Sequence, residues 1–158
     1  MKKNKIIIIV SIVILLLLSV VLFIHYKNKS NNSDKFYLED KYYGTSEFIE
    51  IDDTEFNKIK NDNYVLYVFN NYCNLPIPCH EIFEKYMKEN NVAFLSMKYE
   101  NFKNTELHKE VRFAPSVIIV KDGKIVDYLD AEKDEDLNKY QDVDEFSKWI
   151  EKYIYTKK

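Results

Sequence analysis

The chain has 158 residues, room for about one ordinary domain, and a formal net charge of −3 from 26 acidic and 23 basic residues. Without a basic surplus to hold a phosphate backbone, nucleic acid is not expected as a partner. Lysine supplies nearly all the positive charge, Arg112 being the lone arginine, and only two glycines are present, a composition associated with AT-rich bacterial genomes.

From Ile6 to Ile24 run 19 uncharged residues, broken only by Ser11 and Ser19. At about 1.5 Å per helical residue, such a run matches a hydrocarbon core of about 30 Å, which predicts a transmembrane helix over 6–25. A cleavable signal peptide has an apolar region of about 7 to 15 residues and small residues at its cleavage site. Here the first glycine is Gly44 and the first alanine is Ala93, so the segment is expected to stay as a signal anchor. The first cysteine is Cys73, too far downstream to carry a lipid at the membrane. Lys2, Lys3 and Lys5 precede the span and Lys27, Lys29 and Lys35 follow it, while the terminal ammonium adds charge to the short leading side. The expected orientation leaves residues 1–5 as a cytoplasmic tail and makes the chain a single-pass protein of the cell membrane, its C-terminal domain outside the cytoplasm. All 26 acidic residues then lie on the exported side, with 20 of the basic ones.

Residues 26–45 read as a tether, since Lys27 to Ser33 is polar and lacks apolar periodicity. Its later part, Phe36 to Tyr43, is aromatic-rich and suits either packing on a domain or a position at the lipid headgroups. The folded domain is expected over 46–158. Ile49 and Ile51 alternate with Glu50 as in a short strand, and Asp53 is placed to cap a helix that puts Phe56 and Ile59 on one face. Tyr64 to Phe69 is an unbroken apolar and aromatic run, the pattern of a central strand covered on both faces. Cys79, Ile82, Phe83, Tyr86 and Met87 recur at i, i+3, i+4, i+7 and i+8, which predicts an amphipathic helix with Pro78 in its first turn and Asn90 and Asn91 at its end.

Val92 to Met97 predicts a further strand and Thr105 to Val111 a short helix. Val117 to Val120 and Ile125 to Leu129 flank Lys121-Asp122-Gly123-Lys124, whose Asp-Gly pair signals a tight antiparallel hairpin. The acidic stretch between Asp130 and Asp142 reads as a solvated loop. Val143, Phe146, Trp149, Ile150, Tyr153 and Ile154 form the stripe of a closing helix.

This β-α-β-α-β-α-β-β-α order resembles the thioredoxin superfamily over roughly Phe48 to Lys158, as do three local features. Tyr72-Cys73 follows the central strand, Pro78-Cys79 opens a helix, and Phe113-Ala114-Pro115-Ser116 precedes the hairpin. The resemblance implies an α/β fold, a thioredoxin-like three-layer α/β/α sandwich with a mixed central sheet, here preceded by one transmembrane helix. It implies that Cys73 and Cys79 are the catalytic pair, with a cis-Pro115 facing them. Tyr72 either flanks a substrate or merely covers the loop, and Ala114 and His80 are expected beside the substrate. Some membrane-anchored members that the chain resembles are bacteriocin transport accessory proteins.

The chemistry has a physical basis independent of that likeness. A thiolate is the nucleophile of disulfide exchange, and a helix N-terminus stabilises it through unpaired amides and the macrodipole. A second thiol must bring its Cα within about 4.4 to 6.8 Å, which Cys73 and Cys79 achieve if the residues between them loop out. The family spacing is two residues, whereas Asn74, Leu75, Pro76, Ile77 and Pro78 make five. Alignment to the family makes Cys73 the attacking thiol and Cys79 the resolving one, while a helix starting at Pro78 favours Cys79 through its dipole. Tyr67 falls where many thioredoxins bury an aspartate that helps move protons.

Two readings therefore stand. One is a thiol-disulfide oxidoreductase acting on thiols and disulfides of exported proteins or peptides, with no bound cofactor beyond its own cysteines. The other is a redox-inert thioredoxin-like binding or accessory module whose cysteines form a structural disulfide that braces the loop. No metal is expected, because two cysteines with His80 or His108 fall short of a recognisable zinc ligand set. His80 either raises thiolate character as an imidazolium or is a solvated surface histidine, and His108 reads as a surface residue of its helix.

Overall fold

The structure, a computed structural model, describes residues 35–70 and 75–157. The expected tail, transmembrane helix and first part of the tether lie outside the described residues, as do Tyr72 and Cys73. Among the described residues no helix is long and apolar enough to cross a membrane. The chain divides into two compact units, Met1–Asp34 and Lys35–Lys158, and the account below concerns the second.

Five strands form one mixed sheet: β1 (Phe48–Glu50), β2 (Tyr64–Phe69), β3 (Phe94–Lys98), β4 (Ser116–Lys121) and β5 (Lys124–Asp130). Their order across the sheet is β1-β3-β2-β4-β5. β1 and β2 run parallel to β3, whereas β4 is antiparallel to β2 and β5 antiparallel to β4. The apolar run of β2 occupies the centre, where every residue but Phe69 is buried. Along it Val65, Tyr67 and Phe69 point to one face, and Leu66 and Val68 to the other. The β4–β5 connection is the expected Asp-Gly turn, with positive φ at both Asp122 and Gly123.

Helices cover both faces: α1 (Asp53–Ile59), α2 (Cys79–Asn90), a single turn α3 (Tyr99–Phe102) and α4 (Val143–Ile150). α2 and α4 pack on the Tyr67 face through a cluster of rings. Phe146 lies 4.8 Å from Phe83 and 5.3 Å from Tyr86 by ring centroid, and Phe94 of β3 closes the group. α1 lies on the opposite face, where Ile59 meets Ile49 of β1 and Leu95 of β3 around a small hollow. The domain is thus a mixed α/β sheet with flanking helices, as the periodicities predicted.

Several local expectations are corrected. The cap of α1 is Asp52 and not Asp53, because only Asp52 has a glutamate three residues on. Its Oδ1 accepts the Glu55 N–H at 2.8 Å while Glu55 Oε2 accepts the Asp52 N–H at 3.2 Å, closing a capping box. Pro78 is the N-cap residue of α2 and stands just outside its first turn, and Asn91 ends the helix in the left-handed region with φ 51°. The Thr105 to Val111 segment holds a 3-10 turn, Glu106–Lys109, that buries Leu107. α4 stops at Ile150, and Ile154 reaches the core from the following turn.

The tether boundary also moves. Phe36, Leu38 and Tyr42 are buried, and Phe36 bridges to Ile154, its N–H donating to the Tyr153 carbonyl at 2.9 Å and its carbonyl accepting from Tyr155 N–H at 2.9 Å. Packing on the domain is therefore the outcome for this aromatic stretch, and the packed unit begins at Lys35 instead of 46. Burial of three large apolar side chains and the unused backbone groups after α4 account for the difference.

The acidic stretch is no solvated loop. Residues Asp134–Tyr140 form a 3-10 helix with Tyr140 wholly buried and Asp136 nearly so. Asp136 accepts the Asp130 N–H at 3.1 Å and pairs with Lys139 at 2.6 Å, so its charge is partnered on both sides. One large aromatic outweighs the surrounding charge, since the other acids can point outward while Tyr140 cannot.

Candidate functional site

The site lies where β2 ends, α2 begins, and the loop before β4 meets the Asp134–Tyr140 helix. Pro78 holds the chain in an extended conformation (ψ 119°), so helical geometry starts at Cys79. The apolar stripe then turns Cys79 inward with Ile82, Phe83 and Tyr86. Its side chain is fully buried, and its sulfur lies 3.3 Å from the hydroxyl oxygen of Tyr67. Tyr67 reaches it from the centre of β2 and is held by rings on two sides, stacked against Phe69 and edge-on to Phe83.

The loop before β4 forms the facing wall. The Ala114–Pro115 peptide bond is cis, as the resemblance implied for Pro115. Asn70, just past β2, donates its amide to the Ala114 carbonyl at 2.9 Å, and the Ser116 hydroxyl donates to the Phe113 carbonyl at 2.8 Å. Tyr140 donates its hydroxyl to the Pro115 carbonyl at 3.0 Å. Burial pushes the Tyr140 phenol well above the ordinary tyrosine range, and the nearby Cys79 pushes it in the same direction. It therefore serves as a fixed donor.

Next to Tyr140, Gln141 clamps the segment ahead of α2. Its amide oxygen accepts the Ile77 N–H at 3.1 Å and its amide nitrogen donates to the Ile77 carbonyl at 2.8 Å. Ile77 and Phe113 remain 40% and 44% exposed, so the pinned segment and the proline loop each present an apolar side chain outward.

Of the residues singled out from sequence, Cys79 lies near Tyr140, whose hydroxyl reaches the Pro115 carbonyl next to Ala114, and Tyr72 and Cys73 lie outside the described residues. His80 is exposed, at the rim of a cleft of about 430 Å³ that Tyr67, Phe69, Asn70 and Ser96 also line. His108 is half-buried against Tyr99 and Phe102, whose rings lie 5.8 and 5.9 Å from its own. Sequence reasoning missed Tyr140 and Gln141. A tyrosine three residues after Leu137 in a run of acids is the only local sign that this stretch has an inner side.

No protein-family model matches the chain, and no curated protein does. Among solved structures it is similar to the long form of thioredoxin f from spinach chloroplast, with 23% identity over 64% of this chain and 89% of that one, at a TM-score of 0.43. It is also similar to thioredoxin NaTrxh from Nicotiana alata, with 21% identity over 69% of this chain and 94% of that one, at 0.45. Oxidised thioredoxin O2 from Arabidopsis thaliana is 15% identical over 67% of this chain and 93% of that one, at 0.46. With parallel β1, β3 and β2, antiparallel β4 and β5, helices on both faces and a cis-proline loop ahead of β4, the domain has a thioredoxin-like fold.

Proposed function

We propose that the protein is a thiol-disulfide oxidoreductase anchored in the cell membrane by residues 6–25, acting outside the cytoplasm on exported proteins or peptides through Cys73 and Cys79. The observation that carries this reading is the setting of Cys79, a wholly buried thiol at the first residue of a 12-residue helix, in contact with a tyrosine hydroxyl. Cys73, at the far end of the five-residue connection, is the thiol that meets substrate. Its thiolate attacks a substrate disulfide to form a mixed disulfide, and Cys79 then attacks the Cys73 sulfur and releases the substrate thiol. The positive end of the α2 dipole favours negative charge on the Cys79 sulfur. Ala114 and His80, with Tyr72, flank the bound peptide, and the exposed Ile77 and Phe113 offer it apolar contact. The cysteine pair carries the electrons and no other cofactor is needed.

The second reading, a redox-inert binding or accessory module with a structural Cys73–Cys79 disulfide, draws on Tyr67 at the position where thioredoxins bury an aspartate. The reduction potential separates the two. The full-length chain is equilibrated in glutathione buffers and its thiols are trapped and counted by mass. A potential between about −120 and −270 mV is expected for an exchange protein. A pair that stays oxidised below about −300 mV is a staple. If no disulfide forms between Cys73 and Cys79, the oxidoreductase reading fails, and a redox-inert module without the structural disulfide takes its place.

A further inference from the structure

The chain enters Cys79 through Pro76, Ile77 and Pro78, and the two prolines have no backbone N–H to fasten them. Ile77 gives its N–H to the Gln141 amide oxygen at 3.1 Å, and the Gln141 amide nitrogen donates to the Ile77 carbonyl at 2.8 Å. One side chain thus makes both bonds that an antiparallel strand would exchange with this residue. On either side of Ile77, Leu75 packs on the core and the Pro78 carbonyl accepts the Glu81 N–H at 2.9 Å. Gln141 is itself fixed: its N–H donates to the Asn138 carbonyl at 3.1 Å, and the next residue, Asp142, caps α4 by accepting from Asp144 and Glu145. The preceding residue, Tyr140, holds the Pro115 carbonyl. Two adjacent residues therefore bind two walls of the site, Tyr140 the proline loop and Gln141 the approach to α2. We infer that Gln141 is a positioning residue of the thiol pair, which keeps Ile77 and the segment entering Cys79 ordered in the dithiol and so favours closure of the Cys73–Cys79 disulfide.

Joining two sulfurs across a connection costs conformational entropy in each intervening residue that was free beforehand. A residue already held adds little to that cost, so the thiols meet at a higher effective concentration. Without the clamp, Ile77 is freer in the dithiol than in the disulfide, and the equilibrium moves towards the dithiol. The size follows from the ordering of one backbone residue, reduced because Pro78 already restricts Ile77 to extended conformations, and comes to roughly three- to tenfold in the equilibrium constant. For a two-electron couple this is a rise of about 15 to 30 mV in reduction potential.

This inference rests on the oxidoreductase reading in one respect, that the two cysteines close on each other. With oxidised glutathione as the oxidant, the two thiols give up two protons and two electrons as the Cys73–Cys79 bond forms. The glutathione disulfide bond breaks, and its two sulfurs take up those electrons and protons as two glutathione thiols. A side chain that merely supports the fold would lower the stability of dithiol and disulfide alike and leave this equilibrium where it was. The potential therefore separates positioning from support.

The test equilibrates the full-length chain and three variants in glutathione buffers of graded ratio at neutral pH, quenches in acid, and counts dithiol and disulfide by mass. Trp149 emission in urea gives the stability of each reduced chain. Gln141→Met keeps the length of the side chain without either hydrogen bond, and Gln141→Asn keeps the amide but is one methylene short. Both should move the equilibrium constant roughly three- to tenfold towards the dithiol. Asp52→Ala removes the cap of α1 on the opposite face of the sheet, and should lower the urea midpoint while keeping the wild-type potential. Gln141 variants with the wild-type potential overturn the inference, as does an equal shift in Asp52→Ala, which marks general destabilisation; in both cases the oxidoreductase reading survives. A wild-type pair that stays oxidised below about −300 mV, yet is shifted by Gln141→Met, upholds the inference and removes the oxidoreductase reading. A wild-type chain that never closes the disulfide overturns both.

Discussion

Removing one phenolic oxygen should have opposite consequences at two buried tyrosines. Tyr140 and Tyr86 are both fully buried, yet Tyr140 donates to the Pro115 carbonyl at 3.0 Å while the Tyr86 hydroxyl has no hydrogen-bond partner among the described residues. Tyr140→Phe leaves a buried acceptor without its donor, which costs about 1 to 3 kcal/mol. Tyr86→Phe deletes a hydroxyl that was desolvated without compensation, for a gain on the order of 1 kcal/mol after the small void is charged against it. The two variants should therefore differ by about 2 to 4 kcal/mol in unfolding free energy. With a urea dependence of about 1 to 3 kcal/mol/M, their midpoints should separate by on the order of 1 to 2 M. Trp149, the single tryptophan and itself buried, reports the transition by fluorescence in the full-length chain. Equal losses in the two variants, or a Tyr140→Phe midpoint at the wild-type value, would refute the reasoning that the bond to the proline loop holds that wall of the site.

Gly123 has φ +73°, and a Cβ there would sit 2.7 Å from the Lys60 carbonyl oxygen, so Gly123→Ala should lower the unfolding free energy by at least about 2 kcal/mol. A wild-type urea midpoint for that variant would contradict the turn geometry. Stability should also fall at alkaline pH, because burial pushes the phenols of Tyr64, Tyr86, Tyr140 and Tyr153 above their usual range, with the Asp127 carboxylate adding to the effect at Tyr153. Their folded values exceed their unfolded ones, so the stability they confer is complete below pH about 10 and is lost as pH rises toward the folded values. Absorbance of the phenolate near 295 nm should show these groups ionising only as the chain unfolds; simple titration of all 13 tyrosines near pH 10 in the native state would show the argument wrong.

The elements of this fold that depend on neighbours in sequence were legible beforehand. The six-residue run of β2, the Cys79 to Met87 stripe of α2 and the Asp-Gly turn each carry their own period or turn chemistry, and each stands in the structure within a residue or two of its expected place. The position of Cys79 on the inner side of a helix start was legible for the same reason. Asp52 shows the limit of such reading: two adjacent aspartates compete for one cap, and the glutamate at the right spacing decides between them.

What the sequence left open were matters of partnership across distance. Whether Phe36 packs on a domain or faces lipid depends on the backbone beyond α4, more than a hundred residues away, and Tyr42 is held by Ala93, whose N–H donates to its carbonyl. The inward turn of Tyr140 and the clamp of Gln141 on Ile77 depend on the proline loop and on the segment ahead of α2. Tyr67 could be read as a missing aspartate, but its contact with the Cys79 sulfur exists only because β2 and the start of α2 converge on the same face of the sheet. Local periodicity records which side of an element is apolar; it carries no record of which polar group on another element will meet it there, and that meeting is what makes the site.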